Sequence, residues 1–213
     1  MIIKELPEQL KDYVNLGSER VDLEYKRSID WEDRNAKIKI TKAMMAMSNI
    51  RDGGVIIIGV EEDGTPSGMT KKHCRSFEYD KIARHLNART MPPIDFVVTC
   101  GKITHEDNEK LFVVIQISES KELPVVSIKH EKRDPNGLLD MKNTYIRENA
   151  IYIRSKSPIE SREIGSYSEW KEFIELLLDR NQDKLVKKIP WSSSQQQVTK
   201  KTDKERFARQ RDI

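Results

Sequence analysis

The sequence predicts an α+β fold: a mixed β-sheet flanked by helices, followed by an amphipathic helix and a basic tail. Three observations predict it. Val21, Leu23 and Tyr25 alternate with Asp22, Glu24 and Lys26, the period of two of a strand with one covered face. The run 55–60 is apolar throughout and β-branched at every position but Gly59, as expected of an inner strand covered on both faces. Ile40, Ala43, Met44 and Met47 recur at three- and four-residue spacing, which is the period of a helix.

In chain order, the first strand spans about 21–26, with its acidic side chains pointing outward. A helix over 35–49 follows, and Asp52, Gly53 and Gly54 end it and turn the chain into the 55–60 strand. A further helix is expected near 79–88, with strands around 96–99, 111–117 and 145–154. Trp170, Phe173, Ile174, Leu177, Leu178 and Leu185 form one apolar stripe on a helix over 168–188. That stripe is expected to pack on the chain's own sheet or on a second copy in a homodimer. Ser192–Ser194 and Gln195–Gln197 follow Pro190 with nothing apolar to bury, so the segment reads as a linker.

A chain of 213 residues with 37% hydrophobic and 34% charged side chains is large and patterned enough to bury a core, which excludes global disorder. The longest apolar run falls far short of the roughly 20 residues that a bilayer span needs, so no membrane partner is expected. The start lacks the basic, long-apolar and small-residue pattern of a signal peptide, which makes a cytoplasmic location the expectation. Cys74 and Cys100 lie far apart without a CxxC pair, and the four histidines have no ligand spacing, so neither a disulfide scaffold nor a zinc site is indicated. The net charge of +3 is too small to imply a polyanion partner, but residues 180–213 hold ten basic and four acidic side chains. The end of the chain carries the positive excess.

The densest acidic grouping joins Glu19, Asp22 and Glu24 to Glu61, Glu62 and Asp63. If adjacent strands bring these together beside Lys26, they form a hard oxygen site for Mg²⁺ or Mn²⁺, able to activate water against a phosphodiester. Glu19 and Glu24 are five apart and face opposite ways on a regular strand, so Glu19 is expected in the turn after Gly17 and Ser18. Spacing alone leaves a second reading open, in which Asp22, Glu24 and Lys26 are a solvated strand face and residues 61–64 an ordinary acidic turn. The glycines at 59 and 64 do not make a phosphate loop, because Thr65 and Pro66 replace the required Lys-Ser/Thr and three carboxylates repel a triphosphate.

Four segments taken in order carry a resemblance: Glu19 to Lys26 with its Glu24-Tyr25-Lys26 end, Ala46-x-x-Asn49-x-x-x-Gly53-Gly54, Gly59-Val60-Glu61-Glu62-Asp63-Gly64, and Tyr152-x-Arg154-x-x-Ser157. Together they resemble the Schlafen AlbA-like domain, also labelled a divergent AAA domain, over about 17–164. Tyr25 stands where the family pattern has Phe, Met47 where an aromatic is usual, and Lys156 where glycine is common. The resemblance implies an AlbA-like domain over 1–165, followed by the helix over 166–189 and a flexible basic tail over 190–213. It also implies nucleic-acid binding and, as in Schlafen nucleases, a divalent-metal-dependent endoribonuclease acting on structured RNA such as tRNA. The implied metal ligands and catalytic residues are Glu19, Glu24 and Glu62 (or Glu61), with Lys26 stabilising the attacked phosphate or the nucleophile. The alternative is a module that holds DNA or RNA without cutting it. Arg27, Arg51, Arg147, Arg154 and Lys156 are expected to bind phosphates, RNA rather than DNA, with little base reading. Lys37, Lys39 and Lys42 either join them or form a helix's wet face.

Overall fold

The computed structural model describes residues 3–105, 108–121, 124–138, 142 and 144–188, with side chains of the last helix to residue 182. The expected tail over 190–213 and Leu185 of the apolar stripe lie outside the described residues and side chains. The elements are β1 (Lys4–Glu5), α1 (Glu8–Val14), β2 (Leu23–Lys26), α2 (Arg34–Ser48), β3 (Gly54–Ile58), α3 (Lys71–Ser76), α4 (Tyr79–Asn87), β4 (Thr90–Met91), β5 (Phe96–His105), β6 (Asn108–Ile117), β7 (Val126–Ser127), β8 (Glu131–Lys132), β9 (Thr144–Ile146), β10 (Tyr152–Lys156), β11 (Ile159–Glu163) and α5 (Tyr167–Lys188). The chain divides into two units, 1–180 and 181–213. The second contains the last turns of α5, and the rest of it is outside the described residues.

The first unit is α+β, built on a five-stranded mixed sheet in the order β1-β5-β6-β3-β2. β1 runs parallel to β5 and β2 parallel to β3, while β6 is antiparallel to both its neighbours. β3 is apolar at every position because both faces are covered. Ile56 and Ile58 meet α2 and α4, whereas Val55 and Ile57 meet Leu6, Leu10 and Val14 around α1. Helix α2 starts where the Asp33 carboxylate accepts the Ala36 N–H at 2.7 Å. It ends in a turn with Asp52 and Gly53 at positive φ. A Cβ at Gly53 would lie 2.1 Å from the Ile117 carbonyl oxygen, so the turn admits no side chain there.

Three expectations need correction. The strand expected over 145–154 is two strands, β9 and β10, separated by a turn with Asn149 at φ 60. Asn tolerates that conformation and switches the chain from β9's partner β8 to β10's partner β11. Second, Cys74 and Cys100 form one disulfide with Cα atoms 6.3 Å apart, stapling α3 to β5, although their spacing carries no recognisable pattern. Third, the apolar stripe of α5 is divided. Phe173 is buried and Leu177 packs beside it on Ile151, Ile153 and Ile164, whereas Trp170, Ile174 and Leu178 are exposed. No helix among the described residues is long and apolar enough to cross a membrane.

Candidate nucleic-acid interface

β2 is one of the sheet's two edge strands, and its outward backbone groups are all engaged by side chains or by the turn before it. Glu19 leaves the strand in that turn, as its spacing required, and its Oε1 accepts the Tyr25 N–H at 2.8 Å. Arg20 exchanges backbone hydrogen bonds with Leu23 at 3.0 and 3.1 Å. The Lys26 ammonium donates to the Tyr25 carbonyl at 3.0 Å. Tyr25, in place of the family's Phe, buries its ring and donates its hydroxyl to the Tyr13 carbonyl at 2.8 Å. Burial pushes the Tyr25 phenol up from its ordinary value.

Glu24 does not belong to a solvated face. Its side chain is 8% exposed, and both carboxylate oxygens carry cationic partners: Oε1 the Lys26 ammonium at 2.5 Å, Oε2 the Arg154 guanidinium at 2.5 Å. Ser161 lies 3.3 Å from the same Oε2. Arg154, with a side chain 1% exposed, also donates to the carbonyls of Val21 at 3.1 Å and Arg20 at 3.2 Å. The Tyr-x-Arg segment thus bolts the β10–β11 hairpin onto the edge strand. Asn49 does the same for α2: its amide donates to the Val125 and Tyr152 carbonyls at 2.8 and 3.0 Å and its oxygen accepts the Val125 N–H at 2.8 Å.

The acidic turn after β3 comes close to the Glu19 loop. A Cβ at Gly64 would lie 2.1 Å from the Gly17 carbonyl oxygen, so the two glycines let the turns touch. Glu62 is exposed at that turn. Among the described residues, no group of three His, Cys, Asp or Glu side chains is placed to hold a metal ion. Both Glu24 carboxylate oxygens are engaged by the protein's own cations, Lys26 and Arg154.

The expected phosphate-binding residues fall into three groups. Arg154 is buried in the network just described, a structural position and not a contact surface. Arg51 pairs with Asp179 at 2.8 Å, Arg147 with Glu163 at 3.3 Å and Lys156 with Glu172 at 2.7 Å. Arg27, in contrast, is exposed and makes no ion pair among the described residues. Lys42 is not on a wet face: it is half-buried with its ammonium 5.4 Å from the Tyr152 ring centroid. Desolvation lowers its pKa from the ordinary lysine value, against the opposing pull of Glu160, Glu24 and Glu163.

Sequence reasoning missed α3. Lys71, Lys72 and Arg75 are all exposed and, like Arg27, make no ion pair among the described residues. The helix is fixed to the segment after β2, where Ser28 Oγ and His73 Nδ1 share a hydrogen bond at 3.0 Å and the Trp31 N–H donates to Ser76 Oγ at 2.8 Å. The helix that carries Lys71, Lys72 and Arg75 is thus held against the segment that follows Arg27, with Asp30 close enough to feel Lys72 and His73. The dense run Lys71-Lys72-His73-Cys74-Arg75 was the available signal.

The Schlafen, AlbA_2 family matches residues 19–160, well over half of the chain. The chain belongs to this family, and membership points to a nucleic-acid-related function. No curated protein matches the chain. Among solved structures, the DIP2311 protein from Corynebacterium diphtheriae is similar at 14% identity with a TM-score of 0.46. That match covers 77% of this chain but 27% of the other, so the chain spans about a quarter of that protein's length.

Proposed function

We propose that this protein binds the phosphate backbone of RNA through the surface formed by Arg27, Lys71, Lys72 and Arg75. Family membership supports a nucleic acid as the ligand. The observation that carries the surface is charge: none of these four exposed cations is in an ion pair among the described residues, and only Lys72 feels a nearby carboxylate, Asp30, unlike the paired Arg51, Arg147 and Lys156. Unpaired cations gain most from phosphates, since no existing ion pair opposes the new one. Such contacts fix register without reading bases. The test is a titration of a fluorescent hairpin RNA and of a DNA of the same sequence. Micromolar or tighter RNA binding, lost on joint replacement of Lys71, Lys72 and Arg75 by alanine, is the expected result. Binding unchanged in that variant would remove the assignment.

Metal-dependent cleavage of RNA is the second reading, and the contact between Gly17 and Gly64 favours it by holding the Glu19 loop against the Glu62 turn. Glu24→Ala is a poor probe, because it also breaks the buried network with Arg154. Glu62→Gln changes an exposed turn residue and leaves that network intact. Cleavage of a hairpin RNA by the wild type with Mn²⁺, absent in Glu62→Gln, supports the reading. A wild type that binds RNA but leaves it whole with Mg²⁺ and with Mn²⁺ leaves binding alone.

A further inference from the structure

A groove of about 740 Å³ separates α5 from the core of the first unit. One wall carries Arg51 from the turn after α2, Lys156 from β10 and Arg162 from β11; the other carries acids of α5. Three ion pairs cross it: Arg51 to Asp179 at 2.8 Å, Lys156 to Glu172 at 2.7 Å and Arg162 to Glu169 at 2.5 Å. The cations come from three separate elements, whereas the acids come from one helix. Asp179 lies ten positions beyond Glu169, so at 1.5 Å per residue the acidic edge runs for about 15 Å.

We propose that this groove is a second phosphate-binding strip and that the acidic edge of α5 occupies it in place of nucleic acid, holding affinity down. The inference rests on the nucleic-acid reading above and adds its regulation. Charge complementarity selects the occupant: α5 answers Arg51, Lys156 and Arg162 with one carboxylate each, and Asp22 and Asp52 are the other carboxylates that line the groove away from α5. Arg51, Asp179, Lys156 and Glu172 are each more than half exposed, so their pairs are worth little and phosphates can displace them. The helix itself stays in place through other contacts. Phe173 is buried against Ile153 and Ile164, and Arg180 donates to Glu119 at 2.6 Å and to the Ile50 carbonyl at 3.1 Å. Competition therefore works by charge, with α5 still docked. Glu169 has a further duty, accepting the Gly165 and Ser166 N–H groups at 3.2 and 3.0 Å at the start of the helix.

The test leaves Glu169 intact and uses the full chain carrying Glu172→Gln and Asp179→Asn, titrated with hairpin RNA at low salt. The control is Glu8→Gln with Glu109→Gln, which removes the same charge from pairs with Lys11 and Lys102 far from the groove in sequence. The expected result is binding about three- to tenfold tighter for the α5 variant, little change for the control, and loss of the gain when Arg51→Ala and Lys156→Ala are added. If the α5 variant gains no more than the control while the wild type binds RNA, the occupied-groove inference is overturned and the binding reading stands. If neither the wild type nor any variant binds RNA or DNA, the nucleic-acid reading falls and this inference falls with it.

Discussion

Arg154 meets Glu24 at 2.5 Å across 130 residues of sequence, with both side chains almost completely buried. The pair joins the hairpin near the end of the first unit to the edge strand near its start. A buried pair of this kind costs more to break than to replace whole. Glu24→Leu strands two cations, Arg154 and Lys26, whereas Arg154→Leu leaves Glu24 with Lys26. Urea denaturation is expected to show losses of roughly 3–5 kcal/mol, the greater for Glu24→Leu, and a double variant milder than the sum of the two. Additive losses would mean that the two side chains are uncoupled.

The Tyr25 hydroxyl makes a smaller, isolated contribution. Tyr25→Phe restores the family's usual residue but leaves the Tyr13 carbonyl with only the longer Leu16 N–H contact at 3.5 Å. The expected loss is about 0.5–1.5 kcal/mol in thermal or urea unfolding, with RNA affinity unchanged.

Gly53 is a stricter constraint. Its φ of 73 and the Ile117 carbonyl oxygen, 2.1 Å from any Cβ, both exclude alanine. Gly53→Ala is expected to lower the melting temperature far more than Gly165→Ala, where the nearest atom is 3.9 Å from the built Cβ. Equal effects would show that the turn relaxes freely.

His85 lies against Trp31 in a T-shaped contact with its Nε2 unpartnered, and burial, followed by Arg89, Lys37 and Lys129, pushes its pKa down to about 3. The unfolded chain takes up a proton near pH 6.5 that the folded chain refuses until about pH 3. Stability from this site is therefore complete above pH 6.5 and is lost as pH falls toward 3, at up to about 1.4 kcal/mol per pH unit. His85→Phe is expected to flatten the acid limb of a stability-against-pH curve by that portion. A curve identical to the wild type's below pH 6 would place His85 in water.

Local pattern revealed the parts of this fold whose neighbours are close in sequence or uniform in chemistry. The 55–60 run was legible because apolar cover on both faces demands the same side chains everywhere, and α2 because its core face repeats at helical spacing. Glu24 was not legible. Its alternation reads as a wet face, and only Arg154, brought in by the β10–β11 hairpin, makes a buried carboxylate tolerable. The same pairing removed Arg154 from the surface. The two-residue strands β4, β7 and β8 are too short to show a period, and α3, at six residues, shows no stripe despite its basic run. The disulfide and the seam along α5 depend on contacts between distant segments, which composition does not encode.

On the proposed reading, the exposed cations Arg27, Lys71, Lys72 and Arg75 hold RNA by its phosphates. The slope of log affinity against log salt for a hairpin RNA tests it most directly. Four contacts predict a slope of about −3 for the wild type, reduced to about −1 when Lys71, Lys72 and Arg75 are replaced by alanine. A wild-type slope near zero, or one that the triple replacement leaves unchanged, would contradict it.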